Sequence, residues 1–276
     1  MRVDEDVQTV VQPRALIEHT LGSIVRQVFG LFFQNFKVLF LISLPLVPLR
    51  YLELHGEHAG SALLRMAGLA GYAVASFLTW MAVTVAVSDA CVGNQPSVAR
   101  AYRRAFSRRS PRVLATYALF IAVVCAAPLA AYALANTGAD AGPARGAMTA
   151  GMLLSVAVSV IVFAWYMLTL PVVVLERYWG RHAMSRSRVL GEGYYLRNLT
   201  VLLFCMAVVL VLHSVPVALA ESLMLAGNTA TADSVLSLAT PAFAPLYAIA
   251  AVLVYYDMRV RKEAYDLDGL TADLNL

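Results

Sequence analysis

The run Glu53-Leu-His-Gly-Glu-His58 sets two imidazoles and two carboxylates within six residues. Histidines three apart can share one helical face and ligate a transition metal. A metalloprotease asks instead for His-Glu-x-x-His, with its catalytic glutamate held between the ligands. That pattern is missing, and Gly56 predicts a turn, so the run reads as a solvated polar loop. No metal site and no cofactor are expected. His213 is the second place where chemistry is conceivable, since it lies in a long apolar stretch beside Ser214 and Pro216. A charged group at membrane depth costs about 2.5–3.5 kcal/mol on insertion scales, which makes any ionisable residue there a functional suspect. A neutral imidazole is cheaper, and it can satisfy carbonyls freed by a nearby proline. A proton relay needs a chain of such groups, and no second intramembrane acid stands at matching depth. A structural polar role is expected for His213.

Asp89, Glu176 and Asp257 form a third set, because each follows directly on an apolar stretch. Their expected role is structural, as partners that dock a neighbouring basic helix. The functional alternative is a shared vestibule handling a cationic or zwitterionic headgroup. The cations available are Arg100, Arg103, Arg104, Arg108, Arg186, Arg188, Arg259 and Arg261. Each basic residue beside an anionic leaflet contributes about 1 kcal/mol, so lipid headgroups or a cytoplasmic protein are the partners they predict. Nucleic acid would use the same charges, but no recognition module accompanies them. The chain has no Gly-x-Ser-x-Gly elbow, no Walker A loop and no triad spacing, which disfavours an esterase, an ATPase and a kinase. An intramembrane enzyme would need polar side chains from different spans to converge at one depth.

The elements that position these residues follow from composition. Of 276 residues, 60% are hydrophobic and only 14% charged. A soluble domain averages roughly 25% charged residues, so much of this chain cannot face water. Five stretches free of Asp, Glu, Lys and Arg reach the ~20 residues needed to cross a bilayer. They are Met66–Ser88, Val113–Ala139, Gly146–Leu175, Asn198–Ala220 and Ser234–Tyr256. A sixth, Phe36–Leu54, is interrupted by Lys37 and Arg50 near its ends, where long basic side chains can snorkel to the headgroups. Pro45 and Pro48 kink it. The acidic start Met1–Asp6 lacks the basic, apolar and small-residue order of a signal peptide, so the first span is expected to remain in the protein. Cys91, Cys125 and Cys205 form no CxxC pair and predict neither a disulfide framework nor a zinc site.

Six spans put Arg50, Arg65 and Arg145 on one side and the remaining eighteen of 21 basic residues on the other. Arg100–Arg112 alone carries six. The positive-inside rule makes that side cytoplasmic, with both termini there.

A threefold pattern runs through the chain. Pro13, Pro96 and the Gly180-Arg181 region each open a basic, amphipathic segment. Ile17, Leu21, Ile24, Val25, Val28 and Phe32 make one apolar stripe, and Val98, Ala101, Tyr102, Ala105 and Phe106 another. Each segment leads to a span with an interior proline (Pro45, Pro128, Pro216), then a return span ending in an acid. Glycine follows two of the acids at the same interval, as Gly93 after Asp89 and Gly180 after Glu176. The pattern predicts three two-span units, 13–89, 96–176 and 181–257, within one membrane domain, 1–276.

The stretch Leu253–Asp268 resembles the tail of the membrane domain found in glycerophosphoryl diester phosphodiesterases and in stand-alone bacterial relatives. That family follows its last span with Tyr-Tyr-Asp-x-Arg-x-Arg-Lys-Glu-Gly-x-Asp-Leu. Tyr255, Tyr256, Asp257, Arg259, Arg261, Lys262, Glu263, Asp266 and Leu267 match, whereas Ala264 replaces the usual glycine. Leu170–Glu176, with Arg186-Ser-Arg188, Leu190 and Gly193, resembles the family's apolar–Pro–Glu run and its Arg-Ser-x-x-Leu helix. In the family the phosphodiesterase is a separate soluble barrel after the membrane domain. A sequence ending at Leu276 leaves no room for it, and its His-Arg-Gly and Glu-Asn-Thr motifs are absent, so the resemblance implies no catalysis by this chain. The function expected is a non-catalytic scaffold or accessory subunit of a bacterial inner membrane, touching lipid headgroups or a cytoplasmic partner. The alternative is a small transporter or lipid-handling protein.

Overall fold

The computed structural model describes residues 20–91, 93–106, 110–137, 144–176 and 178–263. Among them the chain is all-α, with no strand. In order the helices are α1 (Leu21–Gln34), α2 (Phe36–Ser43), α3 (Leu46–His58), α4 (Ala62–Cys91), α5 (Val98–Ala105), α6 (Ser110–Thr137), α7 (Ala144–Tyr166), α8 (Thr169–Leu175), α9 (Gly180–Gly191), α10 (Tyr195–Leu225) and α11 (Thr229–Glu263). Five segments are long and apolar enough to cross a membrane: α4, α6, α7 continued through α8, α10 and α11. These coincide with the five uninterrupted apolar stretches of the sequence, the second as far as Thr137.

The sixth stretch is built differently from a single kinked helix. α1 and α2 are bent by 77° at Asn35, whose side-chain amide donates to the Leu31 carbonyl and pins the corner. The chain breaks again at Leu44–Pro45, because Pro45 has no N–H to continue the ladder. α3 then runs on to His58, so Glu53–His58 is helical and not the polar loop expected. Gly56 serves close packing instead of a turn. A Cβ on Gly56 would lie 2.5 Å from the Arg65 nitrogen, and one on Gly68 would lie 2.4 Å from the Glu53 nitrogen. Without those side chains the α3 and α4 backbones lie against each other, as small residues allow in membrane helices.

The proline interruptions leave carbonyls that other helices satisfy. Pro128 in α6 deprives the Val124 carbonyl of its helical donor, and the Ser159 hydroxyl of α7 donates to it at 2.7 Å. The Ile42 carbonyl, at the α2–α3 break, accepts from the Tyr102 hydroxyl of α5. Burial pushes the Tyr102 phenol up, so it remains a donor. Ser159→Ala is expected to destabilise the folded protein by about 1 kcal/mol, the scale of interhelical hydrogen bonds in membranes. Tyr102→Phe is expected to cost about 1–3 kcal/mol, because a buried carbonyl loses its donor. Thermal unfolding in detergent measures both.

α11 is the axis of the bundle. Ala248–Met258 is buried without interruption, and Tyr255 and Tyr256 are at most 1% exposed. α10 packs along α11, α3 along α4 and α6 along α7, while α1, α2, α3, α4, α8 and α9 all touch α11. Only 17% of the apolar window is buried in α6 and in α10, against 50% in α4, α7–α8 and α11. α6, α10 and most of α7 form the outer wall, and their Leu, Val and Phe side chains face outward, whereas the buried part of the α7–α8 span is its α8 end.

The amphipathic segments bury the face their spacing predicts, with two exceptions. α1 buries Ile24, Val28 and Phe32, but Leu21 is exposed at its first turn. α5 buries Ala101 and Ala105, whereas Phe106 is 65% exposed. α5 ends at Ala105, so Phe106 leaves the helical spacing that would have turned it inward. The first stripe's Ile17 and the opening Pro13 lie outside the described residues.

Candidate functional site

Three carboxylates stand at the ends of α4, α8 and α11, and each is met by arginine. Asp89, 3% exposed, has Arg100 at 3.4 Å and Arg104 at 3.6 Å, both from α5. Glu176 accepts from the Arg186 Nε of α9 at 2.6 Å, with Arg259 of α11 at 3.9 Å. Asp257, wholly buried, has Arg197 of α10 at 2.6 Å and Arg261 at 3.0 Å. The first two acids share a local device. Gly93 and Gly180, four residues beyond them, have φ of +86° and +58°, a region that glycine enters freely. The chain turns there, and the next helix brings an arginine back, eleven residues on at Asp89 and ten at Glu176. Asp257 is served instead by the entry of its own preceding span and by its i+4 neighbour.

The end of α11 joins these pairs into one network. The Tyr255 hydroxyl donates to Glu176 at 2.9 Å and accepts from Arg259 at 3.1 Å. The Tyr256 hydroxyl donates to the Ser88 Oγ at 3.0 Å, one residue before Asp89. Glu263 pairs with Arg259 at 3.0 Å and with Arg186, and the Lys262 ammonium donates to the Val189 carbonyl at 2.7 Å. Desolvation alone would lower Arg186, but hydrogen bonds and charge from Glu176 and Glu263 outweigh it and hold its guanidinium above the usual range. Arg186 therefore stays charged, which a half-buried cation between two carboxylates requires.

The arginines singled out in the sequence divide by exposure. Arg186, Arg259 and Arg261 are 23, 13 and 17% exposed and are engaged inside the network. Arg100 and Arg104 share one carboxylate and are 50 and 38% exposed, and Arg103 beside them is exposed. Arg188 is exposed and lies over the Trp165 ring, 5.3 Å from its centroid. Arg112 lies similarly over Trp179. Arg108, Asp266 and Leu267 lie outside the described residues. His213 stands apart, half-buried, with its ring edge-on to Phe243 of α11 at 6.1 Å.

Some participants were not visible from spacing. Arg197 and Ser88 enter the network from positions that no motif marks, although Arg197, like Arg112, is a cation at the entry of a span. Asp233 is the larger omission. It is wholly buried near the start of α11, with His58 at 3.0 Å and His55 at 3.9 Å. The two histidines thus meet a carboxylate far along the chain, 175 residues beyond His58, instead of a solvated loop. Among the described residues no group of three or more His, Cys, Asp or Glu is arranged to hold a metal ion. The three cysteines are free thiols.

An all-α bundle with five apolar helices of spanning length, closed at one end by buried ion pairs, is a multi-pass membrane protein. No family model, no curated protein and no solved structure matches the chain.

Proposed function

We propose that the chain is a non-catalytic membrane scaffold or accessory subunit whose arginine-bearing end contacts lipid headgroups or a cytoplasmic protein. The observation that carries this reading is the division among the arginines. One end of the bundle is held together by its own acids and the α11 tail, and the α5 arginines are left outermost. Arg100, Arg103 and Arg104 lie along one short helix beside exposed Phe106, which suits a headgroup layer with acyl chains beneath it. In this reading that end is cytoplasmic, the membrane is a bacterial inner membrane, and α1–α3 supply the sixth crossing. The three acid-closed units are copies of one repeat. The resemblance of Tyr255–Glu263 to glycerophosphoryl diester phosphodiesterase membrane domains belongs to the same proposal. It assigns those residues to packing, since Tyr255, Tyr256 and Asp257 are buried and hydrogen-bonded.

The test is native mass spectrometry of the protein extracted gently from its own membrane, comparing wild type with Arg103→Gln. Arg103 is exposed, so its loss leaves the network intact. Retention of anionic lipid or of a stoichiometric soluble protein, reduced in the variant, is the expected result. Equal retention in both proteins refutes the assignment of α5.

A second reading, a small transporter or lipid-handling protein, is favoured by one observation. His213 and Phe243 bring together α10 and α11, continuous helices that carry Pro216 and the pair Pro241 and Pro245. Such prolines free backbone carbonyls at membrane depth, the kind of group transporters use to hold substrate. A single small molecule retained by wild type and lost in His213→Phe is the result that selects this reading.

A further inference from the structure

At the end of the bundle opposite the arginine network, Asp233 is wholly buried. The His58 Nδ1 lies 3.0 Å from its Oδ1 and 3.3 Å from its Oδ2, and the His55 Nδ1 lies 3.9 Å from Oδ2. His58 ends α3, and His55 sits one turn earlier with its ring stacked on Tyr51, 5.6 Å away and 7° from parallel. The acid is sealed, whereas the imidazole side chains are 48 and 33% exposed. Other charges on the elements packed here are matched among themselves. Arg50 pairs with Glu53 at 2.7 Å within α3, and Arg65 of α4 faces Glu57 at 3.8 Å. Glu221, in the last turns of α10, is exposed. Among the described residues no arginine or lysine stands within ion-pair distance of Asp233, so the two imidazoles are the basic groups that face it.

A buried carboxylate without a cation is strongly unfavourable, and imidazole is a cation only when protonated. We infer that Asp233, His58 and His55 form a proton-binding latch, in which one shared proton fastens α3 to the first turns of α11. With the proton present, the group is an imidazolium beside a carboxylate. When the proton leaves to solvent, a bare carboxylate remains in a sealed site beside neutral rings, and the contact loosens. α3 cannot follow that movement alone, because Gly56 and Gly68 hold it backbone-to-backbone on α4. The displacement falls on α11, the helix whose far end carries Tyr255, Tyr256 and Asp257. This inference is independent of the scaffold reading.

The sign follows from linkage. The latched state binds more protons than the open one, so stability is greatest at low pH and falls as pH rises. The experiment is thermal unfolding of the full chain in detergent or nanodiscs at about pH 5.5 and about pH 8. Wild type is expected to lose several degrees of Tm at the higher pH. Asp233→Asn and the double variant His55→Gln/His58→Gln are expected to flatten the profile, whereas His182→Gln, at an exposed position of α9, keeps it. An equal slope in wild type and Asp233→Asn overturns the inference. A measurement on wild type alone covers the case in which the variants fail to fold.

Discussion

Asp257→Ala is expected to destabilise the folded protein by about 3–5 kcal/mol, the scale seen when one partner of a buried ion pair is removed. Asp257 is wholly buried and faces Arg197 at 2.6 Å and Arg261 at 3.0 Å, each of which is less than one-fifth exposed. Removing the carboxylate leaves two poorly hydrated guanidiniums close together, with attraction replaced by repulsion. Asp257→Asn keeps the shape and can accept a hydrogen bond, so its loss is smaller but still large. Adding Arg197→Met to Asp257→Ala is expected to recover part of the stability, because one of the two cations that faced the lost carboxylate is removed. Thermal unfolding in detergent reads all three. Equal stability of wild type and Asp257→Ala would sink the claim that this network holds the helices together.

Gly68→Val is the second large effect, expected at about 3 kcal/mol or loss of the folded state, at or above the upper end for overpacking. A Cβ at Gly68 would come within 2.4 Å of the Glu53 nitrogen and 2.6 Å of its Cα. Those are backbone atoms, so no rotamer change relieves the overlap and α3 must separate from α4. The displaced α3 would carry His58 away from Asp233, so the variant is also expected to lose its pH-dependent stability. Gly151→Ala is the control. Nothing lies within 4 Å of a Cβ there, in the middle of α7, and the change is expected to stabilise by about 0.5–1 kcal/mol through lower chain entropy. Destabilisation by Gly151→Ala equal to that of Gly68→Val would refute the close-packing explanation.

The network was only partly visible in the sequence. Asp89, Glu176 and Asp257 stood out because an acid at the edge of an apolar run has few reasons to be there. Their local partners could also be anticipated, since an acid, a glycine four residues on and an arginine about ten on recur at Asp89 and Glu176. The partners from distant elements could not. Arg197 lies 60 residues from Asp257, and Tyr256 lies 168 residues from Ser88. No periodicity reports such a meeting.

Glu53–His58 shows the same limit from the other direction. Glycine between polar residues reads as a turn, yet this glycine sits in a helix because another backbone lies against it. The proline carbonyls show it again: Pro128 announces a defect, but nothing near it names Ser159, 31 residues later in α7, as the donor that repairs it.

The amino-acid sequence by itself determined that the chain is α-helical and that five stretches are long and apolar enough to cross a membrane. These properties depend on transfer free energy summed along contiguous residues, and a local sum needs no tertiary information. Tertiary structure decided which arginines are sealed against acids and which remain on α5, that α11 is the axis, and that two histidines close on Asp233. Those outcomes depend on which helices become neighbours. Neighbour choice is governed by small-residue contacts, proline repairs and charge matching between positions far apart in the chain, and these exist only once the helices have packed.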